Sequence, residues 1–423
     1  MIRAITPVAT LLFGTAILLI GQGLQGTLVP VRATLENFTT LSIGLMGAFY
    51  FLGFTFGCWK GAKLIRTAGH VRVFAAMTAT ASAVPLLHGL MVNPWIWGSL
   101  RFVTGFCFAI LYLVIESWLN ESSTNENRGK VFSVYILINM TMLGIGQQML
   151  LFSDPPDLNL FALASVLVSL AAVPVLMSTS QTPKAVENAH LDFRYLYKNS
   201  PVGMIGTLSS GLTNGSFWAL APVFSVAISS DISVTANFMT AVVIGGAIGQ
   251  WPLGWLSDQI DRRYVLAGAS FMSVVVAAIM WLGAAQLSTT DITFLAAAWG
   301  AMAFPVYSIS VAHANDRAEP GNFVMVSAGL LLMYGIGAVI GPFVASAMMT
   351  FGSAADLFLF TGGIHLLLTV YVVIRCQKKK HTSAERHTPF SDALASTQTR
   401  SQIYDEVLEK EQEEAESLAD IKP

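Results

Sequence analysis

The chain has 423 residues, of which 54% are hydrophobic and 11% charged; its mean hydropathy is +0.62 and its formal net charge −2. That composition excludes a water-soluble globular enzyme or a nucleic-acid binder, because too few polar side chains are available to cover a soluble surface. The charges cluster in short stretches and leave apolar runs of about 20 residues, the length an α-helix needs to cross roughly 30 Å of hydrocarbon.

Twelve such runs are expected, at about 7–31, 40–59, 71–93, 95–119, 131–153, 157–177, 201–228, 233–256, 264–286, 290–313, 323–349 and 353–374. The first is too long for a signal peptide and lacks a small-residue cleavage site, so it reads as a retained span. It carries Gln22 and Gln25 on one face. The sequon Asn37-Phe38-Thr39 follows so closely that chance explains it better than glycosylation. Gly53 and Gly57 give span 2 a face that admits close helix contact.

Span 4 holds Arg101 and Glu116, which apart from histidines are the ionisable residues set clearly within apolar runs. Such residues are costly in a bilayer and default to a functional role. At 1.5 Å per residue they stand about 22 Å apart, too far to pair. Arg101 is read as lining a cavity, attracting an anionic group or influencing a proton site. Glu116 is read either as a proton carrier or as part of a gate at its own end of the helix. Glu121 and Arg128 flank the next loop, and span 5 adds the amides Asn139, Gln147 and Gln148.

Residues 178–200 are polar and read as a linker. In span 7, Asn214 and Trp218 share a face; in span 8, Gly245 and Gly249 repeat the close-contact spacing. The loop after span 8 reads Gly254-Trp255-Leu256-Ser257-Asp258-Gln259-Ile260-Asp261-Arg262-Arg263, a charged turn between two apolar runs. Span 10 contributes Tyr307 and His313, followed by Asp316 and Arg317, and span 11 has Gly337, Gly341 and Pro342. Lys378, Lys379 and Lys380 close span 12; the acidic remainder, residues 376–423, is expected to be a disordered tail. Cys58, Cys107 and Cys376 have no metal-type spacing, no phosphate-binding glycine loop occurs, and no catalytic triad or paired-carboxylate pattern stands out. No metal, cofactor or enzymatic activity is therefore expected.

Basic residues set the orientation. Lys60, Lys63, Arg66, Arg72, Lys130, Lys184, Arg194, Lys198, Arg262, Arg263 and Arg317 all fall around even-numbered loops, whereas Arg32 is the exception on the other side. The positive-inside rule then makes the even loops and both termini cytoplasmic. The chain also reads as a duplication: an offset of 192 places Gln22 on Asn214, Pro30 on Pro222, Gly57 on Gly249 and Trp59 on Trp251, and an offset of 195 places Tyr112 on Tyr307. An all-α membrane protein follows, with twelve transmembrane helices in two pseudo-symmetric six-helix bundles, residues 1–177 and 201–375. A solute site would sit near the midplane where the halves meet.

Gly254, Asp258, Arg262 and Arg263 in the loop after span 8, and Arg101, Gly105 and Ala109 in span 4, resemble motifs of the major facilitator superfamily. The run Glu116-Ser117-Trp118-Leu119-Asn120 resembles its bacterial YcaD-like branch, and Glu121 with Arg128 resembles the sugar-porter loop. Asp261 departs from the usual glycine of the loop motif. The resemblance implies a secondary transporter in a bacterial inner membrane, working by alternating access and coupled to protons. It also implies a cavity lined by spans 1, 4, 7 and 10, hence by Gln22, Gln25, Arg101, Glu116, Asn214, Trp218, Tyr307 and His313, with Asn139 and Gln147 adding amides. Asp258, Arg262, Arg263, Glu121, Arg128, Asp316 and Arg317 are expected to gate the cytoplasmic side, although each could be an ordinary topology-setting charge. The expected partners are a small organic solute, protons and lipid, without nucleic acid, and the chain is expected to be a monomer. A facilitated-diffusion uniporter, or a non-transporting membrane sensor or scaffold of the same fold, is the rival reading.

Overall fold

Helix is the cheapest way to satisfy a backbone in hydrocarbon, since every amide closes within its own segment. The computed structural model describes residues 8–123, 128–177, 193–318 and 323–378, and in it twelve helices are long and apolar enough to cross a membrane. Spans 1–6 are Ala9–Leu35, Thr40–Ala68, His70–Leu90, Pro94–Glu121, Gly129–Phe152 and Leu158–Leu176. Spans 7–12 are Pro201–Ile228, Ile232–Gln259, Arg262–Gly283, Thr289–Asn315, Met325–Phe351 and Asp356–Gln377.

Local chemistry sets the ends. Thr39 accepts the Ser42 amide at the start of span 2, and the Asn93 side chain accepts the Trp95 and Ile96 amides ahead of Pro94 in span 4. A reciprocal Ser288–Asp291 capping box opens span 10. Span 2 runs about three turns past the expected Trp59, because Lys60, Lys63 and Arg66 leave the apolar zone without breaking the helix. Gly69 stops it at φ 83°, a conformation that costs glycine little. Span 10 departs from expectation too: its helix is interrupted at Phe304, where Pro305 supplies no amide to the ladder. Most of the expected linker and all of the tail beyond Lys378 lie outside the described residues.

The duplication is visible in the pairing. Spans 1 and 5, 2 and 4, and 3 and 6 pack together in the first half; 7 and 11, 8 and 10, and 9 and 12 repeat the scheme in the second. Because lipid is as apolar as leucine, such contacts depend on close van der Waals fit rather than on the hydrophobic effect. Gly53 lies against the Phe102 carbonyl of span 4, and its counterpart Gly245 lies against the Ala297 carbonyl of span 10, with no room for a Cβ at either. Between halves, spans 2 and 11 meet, as do 5 and 8, pairs that the repeat exchanges for one another; spans 1 and 7 meet on the axis.

Three apolar cores result. One, at the end opposite the basic loops, is shared by both halves: Leu24, Leu28, Met46, Trp97 and Phe161 pack in one cluster with Phe217, Phe224, Phe238 and Trp299. The other two lie toward the basic end and keep to their own halves, around Phe108, Ile115 and Phe132 in the first and Leu266, Ile309 and Leu330 in the second. The halves are therefore sealed together at one end and separately packed at the other.

Candidate functional site

A chain of polar side chains from four helices runs through the middle of the first half. Tyr112 of span 4 donates its hydroxyl to Gln22 Oε1 of span 1 at 2.6 Å, and Gln22 Nε2 donates to the Tyr50 hydroxyl of span 2 at 3.3 Å. The Arg101 guanidinium lies over the Tyr50 ring, 4.5 Å from its centre. In the other direction, the Asn139 side chain of span 5 hydrogen-bonds with both Tyr112 and Tyr135, and Tyr135 donates to Glu116 Oε1 at 3.2 Å. Glu116 is 2% exposed. Arg101 and Glu116, too distant to pair, are thus the two ends of one network. Tyr112 lies three turns from Arg101 and about 20° away round the helix, so both face the same interior.

The second half supplies a smaller counterpart. Asn214 hydrogen-bonds with Tyr334 of span 11, whose ring meets that of Tyr307 edge-on at 5.0 Å. Trp218 stacks on Phe304 at the interruption of span 10, with centroids 5.7 Å apart. Tyr334 is within electrostatic reach of Tyr50, and Tyr307 of Glu116, which brings the halves together around this centre. Gln22, Tyr50, Arg101, Trp218 and Tyr334 are each half-buried.

At the sealed end the halves are joined by uncharged groups. Gln148 Nε2 donates to Thr240 Oγ1 at 2.9 Å and to Asn237 Oδ1 at 3.2 Å, both on span 8, and the Thr240 hydroxyl reaches back to the Gly144 carbonyl at 3.4 Å. Gln25 and Gln147 are each 1% exposed, with Gln25 Nε2 and Gln147 Oε1 lacking a hydrogen-bond partner. Arg32 is held by Glu36 at 2.6 Å and by the Pro155 and Pro156 carbonyls, which neutralises the one basic residue at this end that breaks the charge rule.

The basic end is charged. Arg262, its side chain fully buried, binds Asp316 at 2.7 Å and Asp258 at 3.1 Å and also donates to Ser257 Oγ at 3.0 Å. Arg263 takes Asp261 at 2.6 Å. Burial pushes the Asp261 carboxyl up, but the Arg263 side chain and amide, together with its charge, outweigh this and hold it at about 2. Burial, then the nearby Arg263, pull the Arg317 guanidinium below its ordinary value. His313, 4% exposed with Nε2 unpartnered, stands within electrostatic reach of Arg317, Asp261, Arg263 and Arg262. All of these belong to the second half. Glu121 is exposed, and the side chain of Arg128 lies outside the described residues.

Comparison with known proteins agrees with this architecture. The sequence model described as "Major Facilitator Superfamily" matches residues 203–408. A protein of Escherichia fergusonii named "Uncharacterized MFS-type transporter YcaD" is 27% identical over 379 residues, covering 89% of this chain and 97% of that protein. An uncharacterized MFS-type transporter of Enterobacter sp. (strain 638) is 28% identical over 391 residues, covering 92% and 98%. The chain belongs to the major facilitator superfamily. Among solved structures of this superfamily fold, the nucleoside transporter NupG superposes with a TM-score of 0.73 at 12% identity, covering 88% of this chain and all of that one. A bacterial homolog to human lysosomal transporter Spinster, in an inward-facing and occupied conformation, superposes with a TM-score of 0.67 at 14% identity, covering 92% and 96%.

The chain is thus an MFS-type transporter, a multi-pass integral membrane protein whose relatives are bacterial. Of the residues singled out in its sequence, Gln22, Arg101, Glu116 and Asn139 fall into one network, and Asn214, Trp218 and Tyr307 gather opposite; Gln25 and Gln147 are buried nearer the sealed end. Tyr50, Tyr135 and Tyr334 were missed. Only Tyr334 left a trace, since the offset of 195 sets it opposite Asn139.

Proposed function

We propose that the protein is a secondary transporter that moves a small organic solute by alternating access, driven by protons. One observation carries the proposal: a polar mid-membrane network ending in a buried carboxylate sits where the halves are sealed on one side and separately packed on the other. By the positive-inside rule the basic end is cytoplasmic, as are both termini, so this conformation faces inward. Residues 1–177 and 201–375 would rock about the midplane, exchanging the seal made by Gln148, Asn237 and Thr240 for one on the cytoplasmic side.

In that second seal the loop charges Asp258, Arg262 and Arg263, with Asp316 and Arg317, would face Glu121 and Arg128 of the first half. Breakable pairs suit such a gate, because solvated ion pairs contribute about 1 kcal/mol or less. Gln22, Asn139, Asn214, Tyr307 and Trp218 suit an amphipathic solute, offering amides and ring faces together. Glu116 is the proton site of this reading: Tyr135 and Asn139 tie it to Tyr112 and so to Gln22, which gives protonation a route to the solute. Purified protein in liposomes loaded with a pH-sensitive dye tests this, with a pH gradient imposed and candidate solutes added in turn. A solute that accelerates proton entry in wild-type but not Glu116→Gln vesicles is expected. Solute flux indifferent to the gradient would leave a uniporter, and no flux from any solute would leave a sensor or scaffold of this fold.

A further inference from the structure

The arginines set into packed regions of this protein obey one rule. Arg32 holds Glu36 at 2.6 Å, Arg262 holds Asp316 at 2.7 Å, and Arg263 holds Asp261 at 2.6 Å. Arg101 breaks it. Among the described residues it forms no ion pair and no hydrogen bond; its contact is the Tyr50 ring. A ring face attracts the cation but leaves its five N–H groups unsatisfied. Glu116, on the same helix, is about 22 Å away and already bonded to Tyr135.

In the conformation described here, water entering from the separated end can solvate Arg101, which is partly exposed. Alternating access requires an intermediate sealed at both ends, and there a guanidinium without a counter-charge is heavily penalised. Something must bring the negative charge. Tyr50 is fixed by Gln22, so the Arg101 side chain rests on a ring that is itself positioned, an arrangement suited to a planar, bidentate acid group. Beyond Tyr50 stand Tyr112, joined to it through Gln22 and three turns along the same helix face from Arg101, and Tyr334 from the other half, within electrostatic reach of Tyr50; both offer ring faces to an apolar body.

We propose that the solute is an amphipathic organic anion, its acid group held by Arg101 and its body lodged among Tyr50, Tyr112 and the Gln22 amide. This rests on the transport reading and deepens it, because the anion is what permits occlusion. An empty site or a neutral solute leaves a bare charge in the sealed intermediate. Together with a proton on Glu116, a monoanion crosses without net charge.

The test uses full-length purified protein and matched probes: benzoate, benzenesulfonate and phenyl phosphate, with benzamide as the neutral partner of similar size. Ligand-induced rise of the unfolding midpoint is measured against concentration. At least one acid is expected to stabilise the wild type saturably while benzamide does not. Arg101→Gln is expected to weaken that acid at least about tenfold, and Arg101→Lys to retain part of the affinity. Equal stabilisation by benzamide, undiminished acid binding to Arg101→Gln, or no stabilisation by any of the three acids overturns the proposal. The wild-type comparison of acids with benzamide needs no variant, so misfolding cannot obscure it. Flux of the bound acid in vesicles separates the two readings: Arg101-dependent binding without flux defeats transport and spares the anion site. Flux of neutral solutes alone does the reverse.

Discussion

Gln22 and Tyr112 are joined by a 2.6 Å hydrogen bond between spans 1 and 4, and the same amide donates to Tyr50 on span 2, so one side chain fixes three helices at the midplane. Tyr112→Phe removes the donor and leaves Gln22 Oε1 facing an apolar ring, a loss of about 0.5–1.5 kcal/mol for a half-buried hydrogen bond. Gln22→Ala removes both bonds and the support beneath Arg101. The variants are expected to lower the unfolding midpoint in detergent in the order Gln22→Ala, then Tyr112→Phe, by a few degrees each. Wild-type stability in both would mean that water replaces the amide without cost.

At the basic end the strong partner of Arg262 is Asp316. Its side chain is 3% exposed and lies 2.7 Å from the guanidinium, whereas that of Asp258 is 33% exposed and 3.1 Å away. Removing one member of a buried pair strands the other and costs about 3–5 kcal/mol, while a half-solvated pair contributes about 1 kcal/mol or less. Asp316→Asn is therefore expected to destabilise the protein several-fold more than Asp258→Asn in thermal unfolding. A larger effect from Asp258→Asn on transport with little effect on stability would assign Asp258 to the gate and Asp316 to the scaffold.

The spans were legible because hydrocarbon thickness fixes the length of an apolar helix; the misplaced end of span 2 shows the limit, since a helix continues into water as readily as a charged loop begins. The duplication exposed Gln22 with Asn214 and Tyr112 with Tyr307, all of which lie at the centre. Tyr50 and Tyr135 were hidden for a physical reason. A tyrosine in an apolar run serves equally well as lipid-facing bulk or as a hydrogen-bond donor, and only the neighbouring helix decides. Gln148 illustrates the same point from the other side: read as a further cavity amide, it lies across the seam to Asn237 and Thr240.

The Asp261–Arg263 pair gives the loop after span 8 a defined response to acid. A carboxyl held at about 2 in the folded protein, against its ordinary 3.8, binds fewer protons folded than unfolded. Its stabilisation is complete above about pH 4 and is lost as pH falls toward about 2. The unfolding midpoint of the wild type should fall through that window, and the difference from Asp261→Asn should shrink with it. A difference that stays constant from pH 6 to 2 would show that the carboxyl acts by shape alone.

Closure of the sealed end depends on Gly44 of span 2. A Cβ there would enter the Ser346 side chain of span 11 and lie 2.6 Å from the Pro342 carbonyl oxygen, backbone that cannot move aside within a helix. Span 2 and span 11 face each other across the seam between halves, so a larger residue should oppose the conformation described here, inward-facing on the proposed reading, without disturbing the packing inside either half. Gly44→Val is expected to shift the population toward the outward-facing state. The readout is a cysteine placed at Thr55, on span 2 where it meets Gly335 of span 11, labelled from either side of the membrane. Labelling from the cytoplasmic side should fall and labelling from the opposite side should rise, with solute flux lost. Unchanged labelling in a folded Gly44→Val protein would mean that the two halves do not separate along the seam between spans 2 and 11.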